Sequence, residues 1–335
     1  MYTTQMRQQI TVWQTSTTLW EHASSLQPAS TELLGNLAQA YSLALRPNKA
    51  IRTYQKAIAM HSEGSAELHH MFGQALRKSA QTNPETKHKH LAKEHYEKAI
   101  QLDALQSETL AALAWWHEEF NPSEESSKIS LEYYKQAEDV AHYGLTQEGR
   151  KKRGLTNSKT VPLKVLNDPV FWLSYGMCID RLIKSDATSK TLTHATHFGD
   201  GFESKTKYEE AIKMDSTLSE AYYRLGKVVA PASVKQAHRY YALAIAHNAD
   251  FVDALYAQAN LYHKQGGSEN EDKSIALYLK AIELEPGATD LRINCALSYR
   301  SAKKTDQALE MARSVLAIDS FHRKASALVD ELTAF

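Results

Sequence analysis

Two groups of histidines come nearest, in residue type and spacing, to a reactive site. The first group is His88, His90 and His95. The second group is His194, His197, Asp200 and Glu203. Imidazoles and carboxylates at such spacings can bind a metal ion. However, the first group is interleaved with Lys87, Lys89 and Lys93, whose charge opposes a cation, and the second has no cysteine partner. We therefore expect ordinary surface histidines and no metal.

No nucleophile or cofactor motif accompanies these histidines. The two cysteines, Cys178 and Cys295, are too far apart in sequence to form a CxxC pair and too few for a disulfide framework. The sequence contains no G-x-x-x-x-G-K-[ST], G-x-G-x-x-G, G-x-S-x-G or H-E-x-x-H motif. The sequence therefore predicts no catalytic residue and no cofactor, and we expect a protein that is not an enzyme.

Charge is balanced over the chain but not along it. The 39 basic and 39 acidic side chains give a formal net charge of zero, which excludes a global field for nucleic acid or an anionic membrane. Arg150, Lys151, Lys152 and Arg153 open a stretch without acidic residues that continues through Lys164. It is interpreted as a solvated linker; a nuclear-import peptide, an RNA contact and a docking loop for an acidic partner remain alternatives.

One spacing recurs six times: a small residue, then tyrosine four positions later, then alanine three positions after that. The six tyrosines are Tyr54, Tyr96, Tyr134, Tyr208, Tyr241 and Tyr278. Offsets of four and three place all three side chains on one face of a helix. A large ring between two small residues suits a helix that packs closely against two others.

A second pattern precedes each tyrosine helix. In it, a large residue is followed three positions later by an apolar residue, then Gly or Ala, and then another large residue. Its first large residues are Leu34, His69, Leu110, Trp172, Tyr222 and Leu255. The chain is therefore predicted to be built from helix pairs. The 13 glycines and 8 prolines, fewer than average, agree with a helical chain.

These patterns resemble the tetratricopeptide repeat, W-x2-L-G-x2-Y followed by A-x3-F and P over about 34 residues. The resemblance implies an all-α solenoid, a superhelix of about seven helix pairs with an N-terminal helix and a C-terminal capping helix. We expect a partial repeat in 1–30, pairs one to three in 31–141, a basic linker in 142–168, pairs four to seven in 169–322 and the cap in 323–335.

The resemblance also implies that the first helices form a concave groove that binds a partner. The side chains expected to line this peptide-binding groove are Tyr223, Arg224, Lys227, Tyr256, Asn260, Asn294 and Lys324. Further inner positions are Asn36, Gln39, Leu173, Ser174, Met177 and Ile293. Asparagine can donate to and accept from a peptide backbone without reading its sequence.

Some members of the family bind C-terminal carboxylates through a clamp of Lys, Asn, Asn, Lys and Arg. Asn260, Asn294 and Lys324 match three of these five positions, but Tyr256 and Leu328 replace the first lysine and the arginine. These two replacements remove two of the three cationic side chains that would neutralise a carboxylate. A general peptide groove is therefore favoured over a carboxylate clamp.

We thus expect a non-catalytic scaffold or adaptor that binds a protein or peptide partner, within a larger complex. The alternatives are a co-chaperone-type receptor for C-terminal tails and an RNA-associated repeat protein that uses the basic linker. The longest apolar run, residues 110–116, is too short to span a bilayer. We expect a cytoplasmic protein, with a nuclear address through residues 150–153 as the alternative.

Overall fold

The computed structural model describes residues 14–28, 30–60, 64–83, 87–143, 146, 148, 164–188 and 202–334. Sixteen α-helices and no strand are found in these ranges. The chain divides into two compact units, residues 1–193 and 194–335, which are described separately. The all-helical prediction is confirmed.

Eight helices lie in the described part of the first unit, each packed against its neighbours in chain order. They are α1 (Ser16–Leu26), α2 (Thr31–Leu43), α3 (Pro47–Met60), α4 (Ala66–Thr82), α5 (His88–Leu102), α6 (Ser107–Phe120), α7 (Glu124–Tyr143) and α8 (Pro169–Thr188). Pairs α2/α3, α4/α5 and α6/α7 are the predicted pairs one to three. The helix α8 packs against α7 and α6 and closes this unit.

The second unit repeats the arrangement, with eight helices between residues 202 and 334. They are α9 (Phe202–Met214), α10 (Ser219–Val229), α11 (Val234–His247), α12 (Val252–Gln265), α13 (Ser268–Leu284), α14 (Thr289–Ser301), α15 (Thr305–Ile318) and α16 (Arg323–Thr333). The two helices of the predicted fourth pair, α8 and α9, fall in different units. In the described part of the chain, no helix combines the length and apolar character that crossing a bilayer needs.

The repeated tyrosines are core residues, as predicted. Tyr54 is 2% exposed and Tyr241 4%, and the other four are fully buried. The flanking positions are equally closed, because Ala50 and Ala57 on either side of Tyr54 are both 0% exposed. Small neighbours thus let adjacent helices approach until the ring fills the space between them.

The first helix of a pair also needs a small residue where the tyrosine ring of the second helix contacts it. A Cβ added to Gly73 of α4 would lie 2.6 Å from Cε1 of Tyr96 on α5, closer than real side-chain contacts. Gly226 of α10 meets Tyr241 of α11 in the same way. Other pairs use an alanine at the same position of the pattern, and Ala38, Ala114 and Ala259 are all 0% exposed.

Three first helices end in a left-handed residue four positions after the last large residue of their pattern. These residues are Leu45 (φ 56°), Gly266 (φ 67°) and Lys303 (φ 58°), which follow Tyr41, Tyr262 and Tyr299. The Arg46 and Lys304 N–H groups donate to the Tyr41 and Tyr299 carbonyls, at 2.9 Å in both cases. The left-handed turn satisfies these helix-end carbonyls and starts the second helix.

Both predicted end helices are present. In α1, Trp20 is partly buried against the apolar core that helices α2 to α6 form. In α16, Ala325 and Leu328 are 0% and 3% exposed and pack with Ile293 and Val315 of the preceding pair. The last helix therefore covers the apolar face that the array would otherwise leave open.

Candidate binding groove

The first helices α2, α4 and α6 line a cleft of about 480 Å³ in the first unit, here called the main cleft. Asn36 and Gln39 of α2, which the sequence placed on the inner surface, do line it. Gln74 of α4 and Trp115 of α6 occupy the position that Gln39 holds in α2, five residues after the first large residue of the pattern. The helical repeat thus brings corresponding side chains into one cleft.

A hydrogen-bonded network forms part of its lining. His70 Nδ1 lies 2.9 Å from Thr109 Oγ1, whose hydroxyl donates to Gln106 Oε1, also at 2.9 Å. Gln74 Nε2 lies 2.8 Å from His70 Nε2. A neutral imidazole that donates from Nδ1 and accepts at Nε2 satisfies every contact. Burial lowers the pKa of His70 to about 4, and the charge of Lys164 adds to this shift. The charge of Glu108 opposes it.

Residues that follow the basic run form one wall of the main cleft. Lys164, Val165 and Asp168 line it, and Val165 is 4% exposed. Trp172 Nε1 donates to the Leu166 carbonyl at 2.9 Å, which fixes the chain before α8 begins. The predicted linker 142–168 thus ends in a segment that packs on the repeats; residues 149–163, including Arg150 to Arg153, lie outside the described residues.

A second opening of about 420 Å³, the side cleft, adjoins Trp115 from the direction of α8. The guanidinium of Arg77 lies 5.4 Å from the Trp115 ring centroid, and its Nε donates to Glu119 Oε2 at 2.9 Å. The buried indole N–H of Trp115 has no acceptor among the described residues. Ser174, predicted as an inner position, also lines this cleft. Trp115 is therefore shared by both clefts.

Glu118, which lines the side cleft, is a carboxylate held away from water. Tyr134 Oη donates to its Oε2 at 3.3 Å, and Arg181 Nη1 lies 3.5 Å from its Oε1. Burial raises the pKa of Glu118 above its ordinary value, although Arg181 opposes the shift. The side cleft therefore offers acceptor oxygens whose interactions are less screened by solvent.

The predicted groove residues of the second unit are mostly engaged within the fold. Asn260 Oδ1 accepts from Tyr278 Oη at 2.5 Å, and Asn294 Nδ2 donates to Tyr256 Oη at 2.8 Å. Each asparagine therefore holds a tyrosine of a neighbouring helix. Lys324 is exposed on α16.

Tyr223 corrects one expectation, because it is 9% exposed rather than open on the inner surface. Its ring lies 5.2 Å from that of Phe251, in an edge-on arrangement. Arg224 and Lys227 cover the same ring at 5.5 and 5.2 Å, and Arg224 Nε donates to Glu220 at 2.6 Å. Ile293, at 3% exposed, is buried as well. Both apolar side chains pack toward the next helix instead of facing a ligand.

The candidate metal groups do not assemble within the described residues, where no set of three His, Cys, Asp or Glu side chains could hold a metal ion. His95 pairs with His69, with 2.8 Å between their Nδ1 atoms, and His88 pairs with Ser79. His194, His197 and Asp200 lie outside the described residues. Cys178 and Cys295 are buried free thiols, and burial raises the pKa of Cys295 to about 12, which disfavours the reactive thiolate.

The main-cleft side chains that the sequence did not single out are chiefly His70, Gln74, Trp115 and Lys164. The first three follow from carrying the register of Asn36 and Gln39 into the next two repeats. Lys164 has no such signal, because its place depends on where the chain returns to the repeats.

No family model and no curated protein matches this sequence. Among solved structures, the chain is similar to PilF from Pseudomonas aeruginosa, with 14% sequence identity and a TM-score of 0.53. The alignment covers 83% of this chain and 98% of that chain. It also aligns with YrrB, titled a TPR protein with an unusual peptide-binding site, at 17% identity and a TM-score of 0.36 over 82% and 96% of the two chains. Yeast Tom70 aligns at 13% identity and a TM-score of 0.43 over 95% and 57%. Together with the repeated helix pairs, the likeness to PilF shows the fold, an all-α solenoid of the kind that tetratricopeptide repeats form.

Proposed function

We propose that this protein is a non-catalytic interaction scaffold whose main and side clefts together bind an extended peptide segment of a partner protein. One observation carries the proposal: equivalent positions of three successive first helices place Gln39, Gln74 and Trp115 along the main cleft. A groove built at the same offset in each repeat suits a ligand that is itself a linear chain.

The side chains available support a peptide ligand. Gln39, Gln74 and Asn36 offer both donors and acceptors to a peptide backbone. A peptide carbonyl that entered beside Trp115 would accept from its unpaired indole N–H, whose burial without an acceptor costs free energy. The indole ring adds a large apolar surface of the kind that anchors many interfaces.

Random-peptide display against the purified chain, followed by affinity measurement on the enriched peptides, tests the proposal. Trp115→Ala should weaken binding about 5- to 30-fold, equivalent to roughly 1 to 2 kcal/mol for a pocket anchor. Phe321→Ala is the matched control, because Phe321 is an aromatic residue 91% exposed in the second unit. Equal affinity of both variants for every enriched peptide would contradict the proposal.

The groove positions of the second unit remain a prediction that the same assay tests. Loss of binding in Asn260→Ala plus Asn294→Ala, with Trp115→Ala silent, would move the site to that unit. Peptides with a free or an amidated C-terminus separate a carboxylate receptor from a general groove. Replacing Arg150, Lys151, Lys152 and Arg153 with glutamine tests the basic run. If the protein binds RNA through this run, the replacement should abolish RNA binding.

A further inference from the structure

We propose that the main cleft selects a partner segment in which a lysine or arginine is followed by aliphatic residues. The proposal rests on the peptide-binding function above and adds the chemistry of the ligand. It is carried by the charge of the cleft and by a segment of the same chain that already packs there.

Acidic side chains outnumber basic ones in the main cleft. Its ionisable lining consists of four carboxylates, one lysine and His70. The carboxylates are Glu67, Asp103, Glu108 and Asp168. In the described part of the chain, none of the four forms an ion pair with lysine or arginine within 4.0 Å. Asp103 accepts a hydrogen bond from the Leu105 backbone N–H, and Asp168 accepts one from the Val170 backbone N–H. A lining with this excess of carboxylates attracts a basic ligand and repels an acidic one.

The remaining ionisable ring does not offset this charge. His70 donates to Thr109 and accepts from Gln74, so its hydrogen bonds are already used by the neutral form. Protonation of Nε2 would break the contact with Gln74. The cleft therefore stays anionic at neutral pH, with Lys164 as its single cation among the described lining residues.

Lys164 and Val165 belong to one wall of this cleft, and Leu166 follows them in the chain. Lys164 remains exposed at the cleft, while Val165 and Leu166 are buried, at 4% and 9% exposed. A cation at an acidic cleft, next to two buried aliphatic side chains, therefore exists inside the protein. A partner segment with the same order of residues can place its cation among the remaining carboxylates and its aliphatic side chains near Met71 and Trp115.

Three fluorescein-labelled peptides test the proposal by fluorescence anisotropy with the full-length chain. The first is Gly-Lys-Val-Leu-Gly-Lys-Val-Leu-Gly, and the others carry Gln or Glu in place of both lysines. The lysine peptide should bind about 10-fold more tightly than the glutamine peptide, and the glutamate peptide most weakly. The advantage should shrink as salt rises from about 0.05 to 0.3 M, because screening weakens exposed charge pairs.

Charge variants locate the effect in the cleft. Glu67→Gln plus Glu108→Gln should weaken the lysine peptide about 3- to 10-fold and leave the glutamine peptide unchanged. Glu283→Gln plus Glu285→Gln is the matched control, because it removes the same charge from exposed positions of the second unit. Unchanged binding of the glutamine peptide also shows that the variant is folded.

Three results would overturn the proposal: no binding of the lysine peptide up to about 1 mM, equal affinity of the lysine and glutamine peptides, or equal losses in the two double variants. Each is distinguishable from failure of the proposed function. Display-selected peptides that still depend on Trp115 would keep the groove and reject only its preference for a basic segment.

Discussion

At the scale of single residues, three histidines of the first unit are kept neutral by the fold. Burial lowers the pKa values of His70, His95 and His117 to about 4. His95 lies beside His69 and His117 beside Ser126, both through ring nitrogens. Each ring is therefore a structural hydrogen-bonding group.

Acid should consequently destabilise the first unit. An unfolded chain protonates these rings near pH 6.5, whereas the folded chain resists until about pH 4, so unfolding takes up protons and becomes easier as pH falls between these values. We expect a loss of about 1 kcal/mol per histidine between pH 7 and pH 5, with part of the shift discounted for residual solvent. Urea unfolding followed by tryptophan fluorescence measures it, since all 5 tryptophans lie in residues 1–193. A midpoint that does not move between these pH values would contradict the expectation.

Tyr241 gives a second prediction at this scale. Tyr241→Ala removes a ring that is 4% exposed and packs directly on Gly226, so we expect a loss of roughly 3 to 5 kcal/mol. Thermal unfolding by circular dichroism measures the loss. Arg239→Ala, two residues away and exposed, should change stability by less than about 0.5 kcal/mol. Unchanged unfolding of Tyr241→Ala would show that the repeat register is wrong.

At the scale of helices, glycine positions differ in what they tolerate. Gly73→Ala would force a methyl group against the Tyr96 ring and should destabilise the protein by roughly 1 to 3 kcal/mol, despite the higher helix propensity of alanine. Gly287→Ala is the control, because nothing lies within 4 Å of its added Cβ. Chemical unfolding of both variants provides the comparison, and equal stabilities would contradict the close helix packing.

The turn between α2 and α3 offers the opposite change. Leu45 holds a left-handed conformation at 74% exposure, so its side chain contributes little packing to offset the strain. Leu45→Gly should raise the free energy of unfolding by about 0.5 to 1 kcal/mol, as the strain relieved outweighs the added chain entropy. Leu43→Gly, at the exposed last residue of the preceding helix, should lower the free energy of unfolding by a similar amount. A destabilised Leu45→Gly variant would refute this account.

Over the whole molecule, local patterns predicted the helix pairs well because each repeat contains the large and small residues that pack its own two helices together. The six tyrosine positions and the small residues beside them needed only the helical period. Tyr223 was misplaced because its burial depends on Phe251, which lies beyond its own pair. Lys164 and Val165 could not be placed at all, since they line the main cleft beside residues of α4 and α6 that lie far away in sequence and share no periodicity with them.

The C-terminal helix gives a prediction at this scale. Leu328→Ala should cost roughly 2 to 4 kcal/mol, because Leu328 fills the space above Ile293 and Val315. Ser326→Ala on the exposed face should be nearly neutral. Thermal unfolding together with binding of an apolar dye checks both. If the last helix stabilises the repeats before it, Leu328→Ala should expose apolar surface that binds the dye. Identical unfolding and dye binding of Leu328→Ala and Ser326→Ala would argue against this role.

The packing of residues 164–166 against the main cleft also has a kinetic and thermodynamic consequence. Because this segment is covalently attached, its local concentration at the cleft is fixed by the chain and is independent of how much protein is present; for short tethers such values are on the order of millimolar. A partner segment that binds in the cleft therefore finds this wall already in place at every protein concentration.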